Sequence, residues 1–116
     1  MLEKTYNFED RLVQFAGETI LFCESLPKDN IGKYYFDQMM RSTGGAALNF
    51  GEAQGANTTK DFIHKMSIVL KELKETRISL KILAYVNYGD TQKRSILLSE
   101  GDELSAISAK MILNKK

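Results

Sequence analysis

The chain has 116 residues, with 16 basic and 15 acidic side chains, one histidine and a formal net charge of +1. A chain of this length buries one core without metal or disulfide staples, and its near-neutral balance argues against a nucleic-acid sleeve or an acid-trapping surface spread over the whole molecule. The lone cysteine, Cys23, excludes an intrachain disulfide and fits a reducing compartment, so the cytoplasm is the expected location. The opening stretch MLEKTYNFEDRLVQF is charged from its third residue on. It reads as neither a signal peptide nor an anchor, and no apolar run approaches membrane-spanning length.

The first predicted helix covers about 8–26, where Phe8, Leu12, Phe15, Ala16, Thr19, Phe22, Cys23 and Leu26 gather on one face at steps of three and four. Pro27 ends it, because proline disfavours helical geometry in the residue before it. The short turn LPKDN leads to a second helix, about 31–54, with Ile31, Tyr35, Met39, Ser42, Ala46, Asn49 and Ala53 in register. Gly55 stands where a helix end favours a residue tolerant of left-handed dihedrals, and Thr58 or Thr59 is the expected N-cap of a third helix over 59–88. That helix carries the most regular seam: Phe62, Met66, Val69, Leu73, Thr76, Leu80 and Leu83. Gly89 and Asp90 are expected to stop it. A fourth helix, about 93–114, places Leu97, Leu104, Ile107 and Met111 on one side, with Gly101 as a weak point. Short connections make neighbouring helices antiparallel, so the expectation is an all-α, single-domain, up-down-up-down four-helix bundle.

The stretch RSTGGAALNFGEAQG, 41–55, admits three readings: a ligand-cradling loop, a broken helix, or a helix gripped closely by its neighbours. A phosphate loop needs its glycines between a strand and a helix N-terminus, a context the pattern lacks. The helical phase also continues across Gly44 and Gly45. Both points favour close helix packing.

On the wheel, Asn49 lies on the apolar side of the second helix and Arg77 within the apolar sector of the third. Both then need partners, because unpaired buried polar groups are costly. The expectation is a polar layer of Arg41, Asn49, Glu52 and Arg77 that fixes the register of helices two and three. An enzyme using Arg41, Glu52 and Arg77 is the weaker alternative, since no cysteine–histidine or serine–histidine constellation accompanies them. His64 falls opposite the third-helix seam, as a surface or interface residue and not a metal ligand. Cys23 reads as a small buried hydrophobe. No cofactor, metal site or catalytic residue is expected.

Apolar residues recur away from the core seams. Phe36 and Met40 on the second helix, with Ile68, Ile78, Ile82 and Tyr85 on the third, form a candidate oligomer surface. Lys71, Lys74, Lys81, Lys115 and Lys116 are the candidate nucleic-acid contacts, although Glu72 and Glu75 interrupt the first cluster. The function read from these residues is a homo-oligomeric, non-enzymatic scaffold or adaptor. RNA or DNA binding through patches aligned on an oligomer is the alternative, and another protein is a further candidate partner.

The segments YNFEDRLVQFAGE, LPKDNIGKYYFDQMMRS and NFGEAQGANTTKDFIHKMSIVLKELKETRISLKIL resemble the four-helix bundle family encoded in intervening sequences of bacterial 23S rRNA genes. The accessory protein of diversity-generating retroelements is similar to that family. Arg41, Ser42, Asn49, Glu52, Asp61 to Ile63 and Lys71 to Thr76 correspond to its recurring motif positions, whereas Leu48 and Gly51 stand where alanine is common. The resemblance implies an antiparallel bundle assembled into a pentameric ring, a nucleic-acid- or protein-binding role and no established enzymatic activity.

Overall fold

In the computed structural model, residues 7–116 are described; the charged stretch read above over Met1 to Tyr6 lies outside them. Four helices follow in order: α1 (Phe8–Cys23), α2 (Asn30–Gln54), α3 (Thr59–Tyr85) and α4 (Thr91–Lys115). Each begins in the same way. Asn7, Asp29, Thr58 and Asp90 sit in extended conformation before the first turn, and each side chain accepts a hydrogen bond from the backbone N–H three residues on. Such a cap satisfies one of the four amides a helix start leaves open.

The helix ends depart more from expectation. α1 stops at Cys23, three residues early, and Ser25 and Leu26 continue only as turns bonded back to Phe22 and Cys23. α3 stops at Tyr85, because Asn87 takes a left-handed φ of 58°. The Tyr88 N–H then donates to the Leu83 carbonyl and the Asn87 N–H to the Ala84 carbonyl. This pairing is a Schellman ending with asparagine in the usual glycine place. Gly89 lies beyond the stop, with φ of 86° and with Phe22 and Leu26 pressed so close that a side chain would collide with them. Gly55 closes α2 at φ of −92°, so its left-handed tolerance is not used.

Neighbouring helices pack in the order α1–α2, α2–α3, α3–α4 and α4–α1, while the Cα atoms of the diagonal pairs stay more than 8 Å apart among the described residues. Cross-helix partners advance on one helix as they retreat on the next. Ser42 meets Thr76 while Glu52 meets Lys65, and Arg77 meets Asp102 while Phe62 meets Lys115. The bundle is therefore antiparallel throughout, up-down-up-down, as the short connections dictate. The core unites Leu12, Phe15 and Phe22 of α1 with Met39, Ala46 and Phe50 of α2, Met66, Val69, Leu73, Leu80 and Leu83 of α3, and Leu97 and Leu104 of α4. On α2 the buried face is turned slightly from the predicted one: Thr43 and Phe50 are inside, and Ile31 is exposed.

The glycine stretch lies within α2 as far as Gln54, with Gly55 as its C-cap. Gly45 has a near neighbour, since an added Cβ would stand 2.8 Å from a Glu72 carboxylate oxygen on α3, the free end of a side chain that can swing aside. Close packing does not account for Gly44 or Gly51, where an added Cβ would meet nothing within 4 Å among the described residues. Gly101 on α4 makes room for the Phe15 ring, 3.3 Å from where its Cβ would lie.

Candidate interaction surface

The buried polar groups between α2 and α3 are hydroxyls. Ser42 Oγ and Thr76 Oγ1 meet at 2.5 Å, and Thr76 donates onward to the Glu72 carbonyl. Thr43 donates to the Met39 carbonyl at 2.7 Å. Thr43 and Thr76 return their hydrogens to their own helix backbone and Ser42 gives its own to Thr76, so the seam stays closed without a buried charge.

The expected four-residue polar layer does not assemble. Arg41 is exposed, and the half-buried Asn49 donates its amide to the Gly45 carbonyl one turn back, at 2.8 Å. Glu52 is exposed and pairs with Lys65 at 2.6 Å, near the far end of the seam. Arg77 turns away from α2 altogether and pairs with Asp102 of α4 at 2.9 Å. The physical reason is reach: long charged side chains leave the apolar interface along their stems and carry the charge to water.

The buried guanidinium belongs to Arg94, which the periodicity gave no cause to single out. It is 6% exposed and donates Nη1 to the carbonyls of Tyr88 at 2.6 Å and Gly89 at 3.4 Å. Around it, the α1–α2 and α3–α4 connections are tied together. Tyr88 donates its phenol to Asp29 at 2.6 Å, and the Asp90 N–H donates to Ser25 Oγ at 2.8 Å. Asp29 is held below its ordinary pKa by the Gly32 N–H first and the Tyr88 phenol second, and the same bond raises Tyr88. A second ionic group, also missed, lies on the α1–α4 seam. Arg11 grips Glu100 through two nitrogens at 2.8 and 3.2 Å and reaches Glu103 at 2.8 Å, and the Glu100 hydrogen bonds chiefly raise its pKa.

The outer face of the α2–α3 pair forms an open groove. Tyr34, Ile78 and Ile82 line one half, and Arg41, Lys71 and Lys74 the other, with Glu75 between. Tyr34 stacks edge-on against Tyr35, with ring centres 4.9 Å apart, and still leaves 55% of itself in solvent. Beneath the basic half, burial raises the pKa of Glu72, and its hydrogen bond and charge contact with Glu75 raise it further.

Among the predicted oligomer residues, Ile78, Ile82, Met40 and Tyr85 are exposed. Ile68 is half-buried, and Phe36 packs on the core. The candidate nucleic-acid lysines do not share one place. Lys71 and Lys74 are in the groove, Lys81 is exposed elsewhere on α3, Lys115 lies 5.0 Å over the Phe62 ring at the start of α3, and Lys116 follows it at the exposed end of α4. His64 is exposed, while Cys23 is buried and its thiol pushed up to about 11 by burial. Among the described residues no His/Cys/Asp/Glu cluster has the makings of a metal site, and no helix is long and apolar enough to cross a membrane.

Four antiparallel helices with a hydroxyl-lined seam and a grooved outer face define an all-α bundle protein whose distinctive features lie on its surface. The chain belongs to the family described as 23S rRNA-intervening sequence protein, which matches residues 6–110. The fold is similar to the crystal structure, at 1.70 Å resolution, of a protein of unknown function from the S23 ribosomal protein family of Bacteroides thetaiotaomicron VPI-5482. The TM-score is 0.80 and the identity 24%, over 91% of this chain and 98% of that one. No curated protein matches the sequence. Several of the motif positions named above have structural roles here. Ser42 and Thr76 share the buried hydrogen bond, Asn49 bonds back to Gly45, and Asp61 presents its N–H to the Thr58 cap.

Proposed function

We propose that the chain is a non-enzymatic, self-associating helical scaffold. The observation that carries this reading is the outer face of α3, where Ile78, Ile82 and Tyr85 are 51%, 39% and 92% exposed although the core beneath is already complete. Aliphatic and aromatic side chains grouped this way on a helix mark a contact surface. Most soluble oligomers are built from copies of one chain, so a second copy is the first partner to consider. Light scattering over a wide concentration range tests it: a mass above that of one chain is expected, and a monomer at every concentration overturns the reading.

Nucleic-acid contact is a second reading, favoured by the exposed Tyr34 beside Arg41, Lys71 and Lys74, since a base can stack on an aromatic ring while lysines and arginines hold phosphate. Here a fluorescent single-stranded RNA is titrated at low salt. Binding that weakens steeply as salt rises supports it, and no binding at low salt removes it.

A further inference from the structure

We infer that the cleft between α1 and α4 is a binding site for a small amphipathic zwitterion, a free amino acid with an apolar side chain. The cleft has a volume of about 340 Å³ and lies on the seam opposite the α2–α3 groove. Phe15 and Leu97, both buried, form its floor, and Ile96, 61% exposed, forms an apolar wall. The Phe15 ring rests against the α4 backbone in the notch left by Gly101.

Register sets the polar rim. Arg11 meets Glu100 across this seam at 2.8 Å. The helices are antiparallel, so going from 11 to 18 on α1 and from 100 back to 93 on α4 brings Glu18 opposite Lys93, about 10 Å further along. These two carry opposite charges, as Arg11 and Glu100 do, yet they make no ion pair, and neither has another ionic partner among the described residues. The first pair closes the seam. The second leaves it open, and the cleft occupies that opening, with Gln14 on the rim one turn before Glu18.

An unpaired carboxylate facing an unpaired ammonium above an apolar floor matches a molecule that carries both charges at one end and an apolar group at the other. The ligand's ammonium donates to Glu18 and its carboxylate accepts from Lys93, while its side chain covers Phe15, Leu97 and Ile96. The Gln14 amide offers a donor and an acceptor to the same two groups. Arg11 already answers Glu100, so the cleft keeps one charge of each sign. A simple anion would face Glu18 without a partner for it, and a simple amine would face Lys93 in the same way. Ligand sites commonly measure about 300–1,000 Å³, and this cleft is at the small end, as suits one amino acid. Such a ligand bridges the first and last helices, which no connection joins, so its binding stabilises the folded bundle. The site stands whether or not copies associate through α3.

Titration of the full ¹⁵N-labelled chain with L-phenylalanine, followed by amide chemical shifts, tests this. Saturable shifts at Gln14, Phe15, Lys93 and Leu97 are expected, with a rise in melting temperature as the amino acid is added. Phenethylamine, which lacks the carboxylate, and 3-phenylpropionate, which lacks the ammonium, are each expected to bind about tenfold more weakly. Glu18→Gln and Lys93→Met alter exposed side chains, and circular dichroism checks that both variants stay helical; each is expected to weaken L-phenylalanine binding about tenfold. No saturable shift with L-phenylalanine, or shifts that map to another face, overturns the site. Binding that is as tight for either one-charge analogue, or unchanged by both substitutions, reveals an apolar slot alone and overturns the assignment of a zwitterion.

Discussion

Between α2 and α3, one hydrogen bond carries the polar content of an apolar seam. Thr76 gives its hydrogen to the Glu72 carbonyl, so the hydrogen between the two hydroxyls belongs to Ser42. Replacing Thr76 by valine keeps the shape and deprives Ser42 of its near acceptor, with the Met39 carbonyl at 3.5 Å as a poor substitute. Thr76→Val is expected to cost about 1 to 3 kcal/mol, whereas Ser42→Ala together with Thr76→Val recovers much of the loss, since no hydroxyl is left wanting. Urea unfolding of the two single variants and the double gives the coupling; additive losses would show that the hydroxyls do not act as a pair. Ser42 and Thr76 were both visible in the sequence as polar members of core seams, although their pairing was not. Arg77 was misjudged for an instructive reason: a wheel fixes where Cβ points, but the flexible stem beyond it carries the guanidinium Nε to Asp102. Arg94 was invisible to periodicity, because its partners are carbonyls in a turn whose path no helical repeat describes.

Helices announce themselves through repeats, and the α3 seam from Met66 to Leu83 was legible almost residue by residue because its alternating steps of three and four run unbroken. Ends are set by single residues and by other segments. Asn87 stops α3 through a left-handed turn that many sequences could make with glycine nearby, so Gly89 looked like the stop and is instead the place where Phe22 and Leu26 press in. At this end of the bundle the Asp29–Tyr88 bond joins two connections, and its pH dependence has two opposite signs. Asp29 has a lowered pKa when folded, so the unfolded chain binds more protons in acid. That contribution is complete above the ordinary aspartate value of about 4 and is lost as pH falls through the folded value. Tyr88 has a raised pKa when folded, so its contribution is complete below about 10 and is lost as pH rises through the raised value. The difference in melting temperature between wild type and Tyr88→Phe is therefore expected to be largest from about pH 5 to 9 and to shrink on both sides. A difference that stays constant from acid to alkali would mean the phenol and carboxylate are not bonded in solution.

At the scale of the whole molecule, a net charge of +1 conceals an uneven distribution. Totals cannot reveal it, since the excess of acid in α1 and of base in α3 nearly cancel along the chain and separate only when folding places the two helices at diagonal corners. Opposed charge on separate faces favours some relative orientations of two such molecules over others, a directional contribution that apolar patches alone do not supply. Salt then distinguishes the contributions. The screening length falls from about 10 Å at 0.1 M to about 3 Å at 1 M, so exposed charge pairs fade while any contact made through exposed apolar side chains such as Ile78 and Ile82 does not. Sedimentation in 0.05 to 1 M sodium chloride is expected to show association weakening several-fold over the first few tenths molar and then levelling off. Association that strengthens steadily with salt would mark a contact of like-charged or purely apolar faces, and the opposed charges of α1 and α3 would then play no part in holding copies together.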